Sequence, residues 1–161
     1  MFGNCIKLFF MSMIPIWELR GSIIASQAMN PVVPIVLAYA VCVIGNMIPV
    51  PFIYVFARRF LKWGVHKKGI GKPCRWILKK GHNGSKKLGK KGTGGVFVAL
   101  MIFVGIPLPG TGAWTGTLAA SFLDMDFKKS VIAVMAGVIL AGIIMGLASL
   151  GVFGALGTMF S

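Results

Sequence analysis

Acidic residues are nearly absent from this chain of 161 residues, which has three Asp and Glu against 17 Lys and Arg. A soluble domain covers its surface with polar side chains, and charged residues make up about 25% of a typical one. Here they make up 12%, while 57% of the residues are hydrophobic and the mean hydropathy is +0.85. This shortage of charge excludes an ordinary soluble domain and indicates an integral membrane protein.

Histidine and cysteine are also scarce, and neither forms a pattern that supports chemistry. The two His lie in a basic segment, and Cys5, Cys42 and Cys74 lack the spacing of a disulfide framework or a zinc site. The sequence shows no Ser-His-Asp set, no metal cluster and no phosphate-binding loop. We therefore expect a protein that is not an enzyme and that uses no metal and no cofactor.

The basic residues are concentrated in one segment. Thirteen of the 17 lie within residues 58–91, which no acid interrupts and which apolar segments flank on both sides. A basic loop between membrane spans marks the cytoplasmic side, so the net charge of +14 predicts contact with an anionic leaflet and not with nucleic acid. Residues 73–81 predict a short amphipathic helix on that leaflet. A solvated loop that only sets the topology is the alternative.

The apolar segments have two lengths. Residues 2–17 and 96–106 are too short to cross a bilayer, which takes about 20 residues. Each is followed by a polar break, here named the first break (residues 15–21) and the second break (residues 107–116), and then by another short apolar piece. Residues 32–57 and 130–153 are long enough to cross, although prolines predict kinks in the former. Two half-length pieces around a polar break indicate a re-entrant hairpin.

The same order of elements occurs twice. Ile14-Pro15 is followed by Gly21-Ser-Ile-Ile-Ala-Ser, and Ile106-Pro107 by Gly116-Thr-Leu-Ala-Ala-Ser. With a cytoplasmic basic loop, the first hairpin opens outward and the second opens inward. We therefore predict an all-α integral membrane fold of two inverted-topology repeats, each a re-entrant hairpin followed by a transmembrane helix. The repeats are residues 1–57 and 96–161, joined by the loop 58–95, with both termini outside an inner membrane.

The first break contains an ionisable pair at membrane depth. Glu18 is the only acid in the first half of the chain, and Arg20 is two residues away, next to Gly21. An ionisable group inside a membrane is costly, so it indicates a function or a neutralising partner. We predict that Glu18 takes up and releases a proton and that Arg20 holds an anionic group such as a phosphate, with Gly21 as part of the same binding site. The alternative is a structural ion pair that closes the hairpin.

The second break is rich in proline and glycine. Gly permits exposed backbone N–H groups, and the N-terminus of a half-helix attracts anions. This pattern predicts a binding loop, with a plain chain reversal as the alternative. The residues of the second break that we predict to bind substrate are Pro107, Pro109, Gly110, Thr111, Gly112, Trp114, Thr115 and Gly116.

The two motifs together resemble the small multidrug export protein family. They read Ile-Pro-Ile-Trp-Glu-Leu-Arg-Gly, ending at Gly21, and Ile-Pro-Leu-Pro-Gly-Thr-Gly-Ala-Trp-Thr-Gly, ending at Gly116. Gly21 is followed by Ser-Ile-Ile, where members of the family often have Ala-Ile-Pro. The family is in turn similar to the DedA group, which is linked to lipid-carrier recycling and drug tolerance. That resemblance implies two hairpins facing each other and roles for Glu18 and Arg20 in proton coupling and headgroup binding.

We expect a small secondary transporter or lipid translocase, driven by protons or by the membrane potential. Its substrate would be a small amphipathic compound or a phosphate-bearing lipid. The alternative is a membrane scaffold or assembly factor that recruits anionic lipid or a protein partner through its basic loop, and an enzyme acting on lipid comes third. Small residues in the last apolar segment, among them Gly137, Gly142 and Gly146, indicate helix packing or a homodimer.

Overall fold

The computed structural model describes residues 1–65, 72, 74–76, 79, 83, 94–108 and 110–159, with only the backbone at residues 150 and 152–159. Within these ranges all regular structure is helical. The helices are α1 (Phe2–Met13), α2 (Glu18–Ala28), α3 (Ile35–Met47), α4 (Pro49–Gly64), α5 (Gly94–Gly105), α6 (Ala113–Phe122) and α7 (Phe127–Met159). The predicted helix at residues 73–81 lies largely outside the described residues, as do both histidines.

Two of the helical stretches are long and apolar enough to cross a membrane. They are Ile35–Gly64, formed by α3 and α4 together, and Phe127–Ser149 within α7. The other helices have 10 to 12 residues. At 1.5 Å per residue each extends about 15–18 Å, roughly half of a hydrocarbon core of about 30 Å. The prediction of an all-α chain with two membrane-length helices is confirmed.

Several predicted boundaries differ from the observed ones. The first crossing continues past residue 57 to Gly64, and the last begins at Phe127 instead of residue 130. The first crossing bends at Ile48, directly before Pro49, so the kink predicted from the prolines lies where α3 ends and α4 begins. A proline is tolerated there because the first helical N–H groups have no partner within the helix.

The short helices are packed in an exchanged arrangement. Helices α1 and α2 pack on each other and on α3, and α5 and α6 pack on each other and on α7. In addition, α2 packs on α7, and α6 packs on α4. The second arm of each helical hairpin therefore contacts the long helix that follows the other hairpin. The largest fully buried apolar side chains belong to one core cluster: Leu8, Leu19, Ile23, Val33, Val50, Val104, Val134 and Val138.

Two glycines of α7 bring it close to its own chain. A Cβ at Gly137 would lie 2.7 Å from the carbonyl oxygen of Met101 in α5, and one at Gly142 would overlap the ring of Tyr39 in α3. At Gly146, in contrast, a Cβ would meet nothing within 4 Å. The first two glycines therefore serve intramolecular helix packing.

A polar network joins the middle of α4 to the turn before α7. The guanidinium of Arg58 donates to the Asp124 carboxylate, to the Tyr54 hydroxyl and to the carbonyl of Met125, the last at 3.1 Å. The Tyr54 hydroxyl donates to that same carbonyl. Asp124 lies three residues before the start of α7 and pairs with Arg58.

We expect the Arg58–Asp124 pair to stabilise the fold only modestly. The two side chains are 31% and 45% exposed, so water screens their attraction. A double-mutant cycle with Arg58→Ala and Asp124→Ala should give a coupling energy of about 0.5–1 kcal/mol in thermal unfolding in detergent. Asp126→Ala, at an exposed acid two residues away, should show no coupling to Arg58. Full additivity of the Arg58 and Asp124 substitutions would contradict this role.

Candidate functional site between the two breaks

The structure brings the first and second breaks into direct contact. The chain reverses at residues 14–17, because Ile14 precedes a proline and takes an extended conformation that ends α1. The motif of Glu18, Leu19 and Arg20 was predicted as part of a polar turn, but it forms the first turn of α2. Leu19 and Ile23, one helical turn apart, are both buried and hold this turn in the core.

Arg20 binds the carbonyl groups at the end of α5. Its Nη1 donates to the carbonyl of Leu108 at 2.6 Å and to Thr111 Oγ1 at 3.1 Å. Its Nη2 donates to the carbonyls of Val104 at 2.9 Å and Ile106 at 3.1 Å. The last carbonyls of a helix lack partners within it and carry partial negative charge. The guanidinium therefore neutralises the end of α5, and both of its terminal nitrogens are occupied.

Glu18 lies at the opposite end of the second break, where α6 begins. Its Oε1 accepts the main-chain N–H of Trp114 at 3.3 Å, and the N–H of Ala113 also bonds to the carboxylate. The N-terminus of a helix carries partial positive charge and favours an anion. Glu18 is 8% exposed and has a φ of 43°, in the left-handed region that residues other than glycine rarely adopt. The surrounding packing holds the carboxylate at this helix end despite that backbone strain.

No ion pair joins Glu18 to Arg20. Among the residues that the structure describes, the ion pair present is the one between Arg58 and Asp124. Glu18 and Arg20 instead bind the two ends of the second break, one at the start of α6 and the other at the end of α5. The alternative of an ion pair that closes the first hairpin is therefore not what the geometry shows. The two side chains connect the hairpins to each other.

Two glycines of the second break have separate roles at this contact. A Cβ at Gly112 would overlap the carboxylate of Glu18, so only glycine lets this acid reach the start of α6. Gly110 has a φ of 83° and turns the chain between the two short helices. The contact of Glu18 with the second break thus depends on the absence of a side chain at residue 112.

Two other predicted site residues serve helix packing. A Cβ at Gly116 would overlap the side chain of Val104, so this glycine lets α6 lie against α5. A Cβ at Gly21 would lie 2.8 Å from the ring of Trp17, which folds back over α2. Gly112 and Gly116 are buried, and Pro109 lies outside the described residues.

A cavity of about 330 Å³ opens between the breaks. Its size is within the range of small-molecule sites, and such sites combine apolar walls with a few polar groups. Trp114 is fixed in its wall because its Nε1 donates to the carbonyl of Met13 at 3.1 Å. The lining contains Pro15, Ile16, Trp17, Glu18, Arg20, Gly21, Pro107, Leu108, Gly110, Thr111, Trp114, Thr115 and Met145.

The chain matches one known family over most of its length. A sequence model of the family described as "Putative small multi-drug export protein" matches residues 18–144. The chain belongs to this family. The match includes the acid and the arginine of the first break and the whole of the second. No curated protein and no solved structure matches the chain significantly. The relation to the DedA group stays a prediction.

In this member of the small multi-drug export family, some cavity residues were not predicted from the sequence. Trp17, Leu108 and Met145 line the cavity beside the predicted residues. Nothing in the sequence distinguishes Met145 from the other apolar residues of α7. Asn46 is also part of the surroundings of Glu18, and here a signal existed, because a buried amide inside a membrane-spanning helix is rare and often functional.

Proposed function

We propose that this chain is a small secondary transporter that moves an amphipathic compound through the cavity between its two breaks, with Glu18 as the proton-binding group. One observation supports this most directly: a buried carboxylate forms part of the wall of a cavity of about 330 Å³. An ionisable residue at membrane depth beside a cavity is typical of substrate and ion pathways.

The architecture supports a transporter with two re-entrant hairpins. Helices α1, α2, α5 and α6 are each about half the length of a bilayer crossing, and the breaks between their arms touch. Non-helical backbone is tolerated at membrane depth where it is buried in protein or lines a cavity, and both breaks meet that condition. The exchanged packing of α2 on α7 and α6 on α4 fits two inverted repeats. We place the basic segment in the cytoplasm and both termini outside an inner membrane.

The hydrogen bonds already made by the charged residues of the cavity favour a cationic amphiphile as the first candidate cargo. The terminal nitrogens of Arg20 already bind four acceptors, so a phosphate would have to displace them. The Glu18 carboxylate and the rings of Trp17 and Trp114 attract a cation. Ile16 at the rim is 89% exposed and offers contact to an apolar tail. A phosphate-bearing lipid is the second candidate, bound by Arg20 after release from the end of α5.

In this proposal, proton exchange at Glu18 couples the movement of protons to the movement of cargo. The ionised carboxylate binds the cationic group, and a proton arriving from the other side of the membrane neutralises the carboxylate and releases the cargo. A ligand shifts a conformational equilibrium only as far as its affinity differs between the two states. Because Glu18 binds the start of α6, its protonation also weakens the contact between the hairpins.

We expect Glu18→Gln to abolish gradient-driven transport without unfolding the protein. Glutamine keeps the shape and an oxygen that accepts the N–H of Trp114, but it cannot exchange a proton. Uptake of a cationic dye into proteoliposomes with a proton gradient should fall at least about tenfold, the size of effect expected when an essential proton carrier is lost. Asp126→Asn, at an exposed acid outside the cavity, is the matched control and should transport like wild type.

A second set of vesicles tests the other cargo and the alternative function. A fluorescent polyprenyl-phosphate-type lipid replaces the dye, and its flipping between leaflets is followed with and without the gradient. Movement of the lipid alone would identify a lipid translocase. If well-folded wild type moves neither probe, the transporter proposal fails. The scaffold proposal would then be supported if replacing Lys residues of the basic segment weakened binding to anionic vesicles.

A further inference from the structure

A second and much smaller void lies next to Glu18. Its volume is about 10 Å³, and it shares Glu18 and Arg20 with the larger cavity. Its other walls come from five helices that meet here: Leu19 of α2, Asn46 of α3, Val104 of α5, Ala113 of α6, and Val138 and Ala141 of α7, with Gly112 before α6. Glu18 therefore stands between a cavity large enough for a cargo and a second space too small for one.

Asn46 brings an unsatisfied polar atom to this void. The residue is 2% exposed, and its Oδ1 has no hydrogen-bond donor within reach among the described residues. Buried polar atoms are nearly always hydrogen-bonded, because leaving one unpaired is costly. The nearest polar groups across the void are those of Glu18 and Arg20, since the other side chains of the wall are apolar.

The void has the size and the polar partners for one water molecule. About one probe sphere, or roughly 10–15 Å³, is the least space that a water occupies, and buried waters usually make two to four hydrogen bonds. A water there could donate one hydrogen to Asn46 Oδ1 and the other to the Glu18 carboxylate. Its oxygen would accept from Arg20 Nε, because the terminal nitrogens of that side chain already donate to four acceptors.

We propose that Asn46 holds one water molecule against the Glu18 carboxylate and so positions the group that binds the proton. The effect on transport rests on the proposed function of Glu18. The water site itself does not depend on that function. Asn46 is a positioning residue in this arrangement, acting on Glu18 through the water. The carboxylate is then held from two directions, by N–H groups at the start of α6 and by the water on the side of α3.

The charged surroundings of Glu18 are simple enough to test this link. Among the described residues, Arg20 is the charged group that acts on Glu18. Helix α3 contributes Asn46, α6 contributes main-chain N–H groups, and α7 contributes apolar side chains. The chain has two other acidic side chains, Asp124 and Asp126, so an infrared band that disappears in Glu18→Gln can be assigned to Glu18.

Asn46→Leu is the deciding variant. Leucine has the same number of side-chain heavy atoms and the same branching but no polar atom, so its folded state should be as stable as wild type or more so. We expect the infrared band of Glu18, measured as carboxyl at low pH and as carboxylate at high pH, to shift in this variant. The shift arises because the side chain loses its hydrogen bond with the water. We also expect gradient-driven dye uptake to fall about tenfold at saturating dye, with little change in KM.

The control is Ser121→Ala, which removes a buried hydroxyl that also has no hydrogen-bond partner among the described residues. Ser121 is in a part of α6 that does not line the void. Ser121→Ala should leave the Glu18 band and the dye uptake unchanged. Asn46→Ser keeps a polar atom and space for water, so its Glu18 band should lie close to the wild-type position. A Glu18 band that does not move in Asn46→Leu would overturn the proposal. A band that moves while wild-type protein transports neither probe would keep the water site and remove the proposed function.

Discussion

Replacing Arg20 with alanine is expected to destabilise the protein by about 2–4 kcal/mol, which for a chain of this size lowers the melting temperature by roughly 5–15 °C. The substitution removes a charged donor from three carbonyl groups and from the Thr111 hydroxyl. The carbonyls of Ile106 and Leu108 each keep a main-chain donor, so the carbonyl of Val104 is the most affected. Water from the adjoining cavity can satisfy some of these groups, so the loss is smaller than for a fully sealed site. Thermal unfolding in detergent, followed by circular dichroism, measures the effect.

Two further variants make this test specific. Arg20→Lys keeps the charge but replaces the planar fork with a single ammonium group, which cannot reach four acceptors at once, so its stability should be intermediate. Arg59→Ala removes an exposed arginine of α4 and should stay within about 0.5 kcal/mol of wild type. If Arg20→Ala melts like wild type but loses only the flipping of the phosphate-bearing lipid, the residue binds cargo and does not support the fold.

Gly112→Ala is expected to abolish transport and to destabilise the protein by about 1–3 kcal/mol, the usual range for overpacking a tight site. The added methyl group would occupy the position of the Glu18 carboxylate, so the acid must leave the start of α6. Both consequences have one cause and should appear together. Dye uptake in proteoliposomes and thermal unfolding in detergent give the two readings on the same preparation.

A double-mutant cycle separates this explanation from a general sensitivity to substitution. In a Glu18→Ala background the carboxylate is gone, so adding Gly112→Ala should cost little further stability. Gly146→Ala is the matched glycine control, because a Cβ there meets nothing within 4 Å, and it should be neutral or slightly stabilising. Equal costs of Gly112→Ala with and without Glu18 would show that the two residues do not compete for the same space.

The lengths of the helices could be predicted from the sequence because hydropathy determines them. The two full-length and four half-length apolar pieces all correspond to helices in the structure. The limits of the first break could not be predicted in the same way. Its charged residues are typical of a turn, but Leu19 packs against Gly142 of α7, and this tertiary contact draws Glu18 and Arg20 into the first turn of α2.

The binding partners of the two charged residues of the first break also could not be predicted from the sequence. The sequence indicates that the charges of Glu18 and Arg20 each need a neutralising partner, and two oppositely charged residues so close in the chain suggest an ion pair. The structure instead places the Arg20 guanidinium at the end of α5 and the Glu18 carboxylate at the start of α6. The unpaired carbonyl and N–H groups at these helix ends belong to the backbone, so the residue types do not reveal them. The sequence also does not pair Asn46 with Glu18, because the distance between them depends on how α2 and α3 pack.

The exchanged packing of the hairpins has a consequence for how the protein is made. During synthesis, α2 is complete long before α7, on which it packs in the finished structure. The first hairpin therefore lacks part of its contact surface until the last helix enters the membrane, whereas α6 finds α4 already in place. The order of assembly is thus set by the C-terminal helix, and release of the chain before it is inserted would leave the earlier half open to lipid or to chaperones.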